Sequence, residues 1–224
     1  MKRKLAAISL LAVSAVAHEP ITTKLTWTQE ISRIVYKRCL ACHRTGAAVA
    51  LQNYDEARPW AKAIRDEVLE RRMPPWGAVK GFGEFAGDPS LTQPEIEMIV
   101  NWVEGGAPKG DDVYLPSLPT PPIPERSVRG ATIAVRGERT LTATLDAAAI
   151  RPDGLPDGGW MQVRAALPGG AVRNLLWVRD YRAAWKRAFR FRDIERLPKG
   201  ARIIVHSSAP RAVAILTSAA KPGS

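Results

Sequence analysis

Apolar positions in the first half of the chain recur at helical spacing. Ile31, Ile34 and Val35 share one face of the stretch Trp27 to Arg38, which predicts a helix leading directly into Cys39. A looser stretch, Thr45 to Asp55, follows. Trp60, Ile64 and Val68 then mark one face of a second helix, which must stop near Met73 because Pro74-Pro75 cannot continue it. Gly77 to Pro89 is glycine-rich and reads as a loop. In Thr92-Gln93-Pro94-Glu95, Thr92 and Glu95 are spaced to satisfy each other's free backbone donors, so a third helix starts there. Ile96, Ile99, Val100 and Val103 give it an apolar face, and Gly105-Gly106 with Pro108 ends it.

The period changes in the second half. Pro116, Pro119, Pro121, Pro122 and Pro124 lie between Asp111 and Glu125, a density that favours an extended, semi-rigid connection. Beyond it, short β-type runs cover 131–135, 140–145, 160–167, 171–178, 188–192, 201–206 and 212–217, with Pro168-Gly169-Gly170 as a hairpin turn. The pattern predicts a multidomain chain: a helical first domain over 18–110, a proline-rich linker over 111–125, and a small antiparallel β-sandwich over 126–224. No internal repeat is apparent.

The first residues alter this division. Lys2, Arg3 and Lys4 precede an apolar stretch from Leu5 to Val16 that ends in Ala15-Val16-Ala17. This is the layout of a secretory signal peptide, residues 1–17, with cleavage expected after Ala17 and a periplasmic or otherwise exported mature chain. The apolar run is shorter than the roughly 20 residues a bilayer span needs. Of 33 basic residues in the whole chain, 30 remain after residue 17, against 22 acidic ones. The excess belongs entirely to the second half, with 12 basic and 12 acidic residues over 18–110 but 18 and 10 over 111–224.

The chain has two cysteines, three positions apart, so a long-range disulfide framework is excluded. In an exported compartment a free vicinal pair would tend to oxidise, and thioether attachment to haem explains its presence. Cys39-Leu40-Ala41-Cys42-His43 has the required layout: two thiols to add to the two vinyl groups, and an adjacent histidine as axial ligand. A structural zinc site would need about four ligands, and His18 and His206 are the only other imidazoles. A thioredoxin-like pair would need a strand before the motif, where the spacing predicts a helix.

Candidates for the sixth position are Met73, Met98, Met161, His18 and His206. Met73 is favoured, because it stands where a helix breaks into two prolines and its side chain is presented from a rigid loop. Met98 lies mid-helix beside Ile99, where core packing is the simpler reading. Arg71 and Arg72 are placed to pair with haem propionates or to be solvated at a helix end. His18, the expected mature N-terminus, lacks nearby partners for a metal.

Cys39 to His43, the segment Arg71-Arg72-Met73-Pro74-Pro75-Trp76 and the stretch Leu91 to Pro108 together resemble a mono-haem cytochrome c domain of the class I type, over about residues 25–110. The resemblance implies an all-α cytochrome c domain, one covalent haem c on Cys39 and Cys42, and His43 and Met73 as axial ligands of its iron. Only 30 positions separate His43 from Met73, which implies an open crevice. Less specifically, Trp160–Val178, Tyr181, Trp185, Phe189–Arg192 and Leu197 to Ile203 resemble the C-terminal β-domain of copper type II, ascorbate-dependent monooxygenases. That family binds copper through paired histidines and a methionine, whereas here His206 is the sole histidine of the region. The resemblance therefore implies a scaffold or docking module without the metal.

From Arg179 to Arg202 there are nine basic and three acidic residues, with Trp185, Phe189 and Phe191 among them. The run suits docking to an acidic redox partner or to membrane headgroups, but alternating Phe and Arg is also what a half-buried strand shows. Nucleic acid is not expected as a partner of an exported haem protein. The expected function is single-electron transfer between a donor and an acceptor protein, with no catalytic residues. The alternatives are a haem-containing oxidoreductase whose β-domain binds substrate or copper, and an accessory haem subunit of a respiratory or photosynthetic membrane-protein complex.

Overall fold

The computed structural model describes residues 24–121, 128–185 and 187–220. The predicted signal segment 1–17, His18, and Pro122 and Pro124 of the linker lie outside the described residues.

Thr26 opens the helical part. Its hydroxyl accepts from the Gln29 N–H and its own N–H donates to the Glu30 carboxylate at 2.9 Å, so two otherwise free donors are satisfied. A π-helical turn over Trp27–Ile31 runs into α1, Ser32–Arg38, then come α2, Tyr54–Ala57, and α3, Ala61–Leu69. The longest helix, α4, spans Gln93–Glu104. It carries the expected reciprocal cap, with Thr92 and Glu95 each bonded to the other's backbone. Ile96, Ile99 and Trp102 are buried on one face, and Trp102 meets Trp27 at 6.1 Å between ring centroids. The chain beyond α4 returns to the start, where Trp27 and Thr28 donate their N–H groups to the carbonyls of Pro108 and Lys109, both at 3.0 Å. No described helix is long and apolar enough to cross a membrane.

Eight strands follow: β1, Thr132–Val135; β2, Glu138–Thr140; β3, Leu145–Asp153; β4, Met161–Ala166; β5, Val172–Val178; β6, Phe189–Leu197; β7, Arg202–Ser207; and β8, Val213–Ser218. They form two four-stranded antiparallel sheets ordered β1-β8-β3-β6 and β2-β7-β4-β5. Alternate residues of β4 (Met161, Val163, Ala165) and β7 (Ile203, Val205) point into the buried core, and Gln162, Arg164 and His206 point out. The hairpin at Pro168-Gly169-Gly170 is closed by the Leu167 N–H to the Ala171 carbonyl at 2.8 Å.

The expectation of an all-α cytochrome c domain followed by a small β-sandwich is corrected. The molecule is mostly β, its helices are short, at 7, 4, 9 and 12 residues, and the first half is not purely helical. The stretch between α3 and α4 leaves the helices and completes the sandwich. Trp76 and Phe85 are buried in the same core as Phe189, Phe191 and Val178, with Trp76 edge-on to Phe189 at 5.0 Å.

The backbone of that stretch pairs with both sheets. At β5 the Val79 N–H donates to the Trp177 carbonyl and the Arg179 N–H to the Gly77 carbonyl; at β6 the Ala86 N–H donates to Arg190 and the Arg192 N–H to Glu84. Since β5 and β6 each form one edge of their sheets, the loop satisfies backbone groups that would otherwise be exposed. Gly83, at φ +84, permits the close approach, because a Cβ there would lie 2.4 Å from the Leu175 carbonyl oxygen. Strand limits also differ from expectation, β6 running on to Leu197 past the expected 192 and β2 starting at Glu138. Residues 141–144 form a turn in place of a strand, and β3, unexpected over 146–153, runs through the middle of its sheet.

Candidate functional site around Cys39, Cys42 and His43

The end of α1 places the cysteine pair. The Cys39 N–H donates to the Val35 carbonyl at 2.8 Å, and the N–H groups of Cys42 and His43 both return to the Cys39 carbonyl, at 3.1 and 3.0 Å. Residues 39–43 thus make one tight turn beyond the helix. Cys39 is half-buried against the helical core, Cys42 is exposed, and neither is in a disulfide. Burial pushes the Cys39 thiol up to about 12, with Arg38 opposing the shift and Cys42 and Glu95 adding to it.

His43 is held from two sides. Its carbonyl accepts from the Leu51 N–H at 3.0 Å, and Leu51 is anchored in the core. Its ring Nδ1 lies 2.8 Å from the Val49 carbonyl oxygen. A carbonyl accepts only, so Nδ1 carries a proton, and in the neutral ring the lone pair is then on Nε2. A ligating imidazole needs this tautomer, with its second nitrogen fixed by a backbone acceptor.

Behind the turn, Arg38 grips Glu95 with two bonds, Nε to Oε1 at 3.0 Å and Nη2 to Oε2 at 3.1 Å, and donates to the Asp88 carbonyl. The same carboxylate caps α4 through the Thr92 N–H at 2.7 Å. Burial would raise the Glu95 pKa, but the hydrogen bonds from Thr92 and Arg38 outweigh it and hold the carboxyl below the usual range. Glu95 therefore ties the last turn of α1, next to Cys39, to the first turn of α4.

Met73 follows α3 and is 39% exposed, outside both buried cores. Its N–H donates to the Glu67 carbonyl at 3.2 Å, and the Met73-Pro74 peptide is cis. Trp60 and Leu69, at the two ends of α3, are also exposed, so three large apolar side chains face solvent in this part of the fold. Arg72 pairs with Glu67 and Glu70, and Arg71 donates to Gln93.

The other candidates lie elsewhere. Met98 packs against the helical core, Met161 is fully buried in the sandwich, and His206 is exposed on β7 opposite Gln162. Among the described residues no group of three or more His, Cys, Asp or Glu side chains is close enough to share a metal ion. In the basic strand, Phe189 and Phe191 are buried and Arg192 is exposed beside Glu84, the arrangement of a half-buried edge strand.

The residues present fit a covalently held haem in two respects: two unpaired thiols on one turn, and an imidazole whose Nδ1 is fixed by a backbone acceptor. The Val49 carbonyl is the contributor that sequence reasoning missed, and as a backbone acceptor it has no side-chain signature. Compared with known protein families, curated proteins and solved structures, the chain matches none.

Proposed function

We propose that this chain is an exported mono-haem c-type cytochrome that carries single electrons between redox partners and makes or breaks no substrate bonds. When bound, haem c supplies a ferrous–ferric couple. Cys39 and Cys42 would hold it as thioethers, and His43 would ligate through Nε2, its ring oriented by the Val49 carbonyl. Met73 would offer its thioether as a second ligand, from a segment fixed at both ends by the Glu67 carbonyl and by buried Trp76.

The observation that carries the reading is the His43 ring: its Nδ1–H bond fixes the ligating tautomer on the same turn as two free thiols. The lysine-led apolar segment 1–17 supports export, where thioether attachment and free-thiol oxidation would otherwise compete.

A pyridine haemochrome spectrum and metal analysis of the exported protein test the proposal together. The expected result is the two-thioether spectrum with iron near one per chain and no stoichiometric copper, and a one-thioether spectrum in Cys42→Ala. An exported, folded chain without covalent haem would refute it, and stoichiometric copper with ascorbate-dependent turnover would favour the oxidoreductase.

A further inference from the structure

A groove lies on the outer face of the β2-β7-β4-β5 sheet. It measures about 570 Å³ and is lined by Gly158, Trp160, Gln162, Trp177, Arg179 and Asp180. That is within the ~300–1,000 Å³ typical of small-ligand sites.

Strand register assembles it. Gln162 stands directly opposite Trp177 on β5, so an amide and an indole emerge side by side on one face. Trp160 precedes β4 and is 43% exposed. Arg179 lies just beyond β5, its guanidinium 5.8 Å from the centre of the Trp177 ring. Asp180, beside it, has φ +47, a left-handed backbone rare outside glycine and found more often where a site constrains the chain.

The rim is built rigidly. The Gly158 N–H donates to the Tyr181 carbonyl and the Tyr181 N–H to the Gly159 carbonyl, at 2.8 and 2.9 Å. The Ala183 N–H reaches the Asp157 carboxylate at 2.6 Å, and the Trp160 N–H reaches the Ser208 hydroxyl at 3.0 Å. Phe82 meets the Trp177 ring edge-on at 4.8 Å. One indole, Trp177, is therefore carried on strand β5 and the other, Trp160, on a fastened loop, so little ordering entropy remains to be lost on binding.

The lining selects the ligand chemistry. One cation and one anion cancel, so neither a polyanion nor a polycation is favoured. Indole faces attract polarised C–H groups, while an amide, a guanidinium and a carboxylate supply both donors and acceptors. A pyranose ring has apolar C–H faces and a belt of hydroxyls, which match both halves of this surface. We infer that the Trp160–Gln162–Trp177 face binds neutral polysaccharide chains, which would give the protein an attachment to a glycan matrix independent of whether it carries haem.

The test is titration calorimetry of the full exported protein with hexamers of β-1,4-linked glucose, N-acetylglucosamine, xylose and mannose. Saturable binding of at least one hexamer is expected, weakened about tenfold or more in Trp177→Ala and in Trp160→Ala, a change equal to roughly 1.4 kcal/mol. Val172→Ala, exposed on the same strand away from the groove, should bind as the parent does. Gln162→Ala should also weaken binding, which keeps the test decisive should a tryptophan variant fail to fold. The inference is overturned if no hexamer binds at millimolar concentration, if the protein retains a sulfated glycan in preference to the neutral ones, or if the folded groove variants bind like the parent.

Discussion

Replacing Glu95 by Ala removes one carboxylate that serves two helices, and its cost can be worked from the contacts. The Arg38 and Glu95 side chains are only 14% and 13% exposed. Without the carboxylate, Arg38 keeps a single bond, to the Asp88 carbonyl at 3.3 Å, and a largely buried charge loses its partner. Stranding a buried charge costs about 3–5 kcal/mol, and losing half of a reciprocal cap adds about 1 kcal/mol. Residual exposure of the guanidinium offsets part of this, so we expect about 3 kcal/mol for Glu95→Ala. Arg38→Met with Glu95→Leu removes both charges and should cost about 1 kcal/mol, a coupling near 2 kcal/mol. The sign of the pH dependence follows from the depressed Glu95 pKa. Its contribution is complete above the unfolded carboxyl value of about 4.3 and fades as pH falls through the lower folded value, a dependence Glu95→Gln should lose. Hydrogen exchange of peptides covering 32–51 and 92–107 in increasing urea reads the helical part separately from the sandwich. A cost below about 1 kcal/mol for Glu95→Ala, or a double variant no more stable than the single one, would refute the reasoning.

Two further outcomes are expected. Met73→Ala should abolish a methionine-to-iron charge-transfer band in the visible spectrum while leaving covalent haem in place, and an unchanged band would remove Met73 as ligand. Trp76→Ala should cost about 3–5 kcal/mol in unfolding of the sandwich, since its ring packs on Phe85 and Phe189 beneath Arg187; peptides 161–178 and 189–197 losing exchange protection would show this, and loss confined to the helices would contradict it.

What the sequence disclosed depended on how local the encoding is. The start of α4 was legible because Thr92 and Glu95 carry the cap within four residues, and the β4–β5 hairpin because Pro168-Gly169-Gly170 announces its own turn. Strand β3 was not. Ala147, Ala148 and Ala149 are weak strand formers and Pro152 argues against a ladder, yet the strand is held by neighbours on both sides and Pro152 lies past its last pairing with β6. The glycines of 77–87 signalled a loop but not its partners, which lie about a hundred residues away in β5 and β6. At the site, the close spacing of Cys39, Cys42 and His43 was visible in the sequence, and the structure places the three on one turn. The Val49 carbonyl, the Arg38–Glu95 tie and the Gln162–Trp177 pair exist only once the chain is folded.

The loop between α3 and α4 has a consequence for how such a chain can be rearranged. A domain joined by a single linker can be cut out, swapped or duplicated at that linker. Here, severing the chain at the proline-rich stretch would strip Trp76 and Phe85 from the sandwich core and uncover the backbone of both edge strands. The freed sheets would then be open to pairing with other copies. Met73 stands three residues from Trp76, so the segment carrying the proposed ligand is anchored at one end in the sandwich core. The two halves are therefore interlocked parts, and recombination would have to move them together.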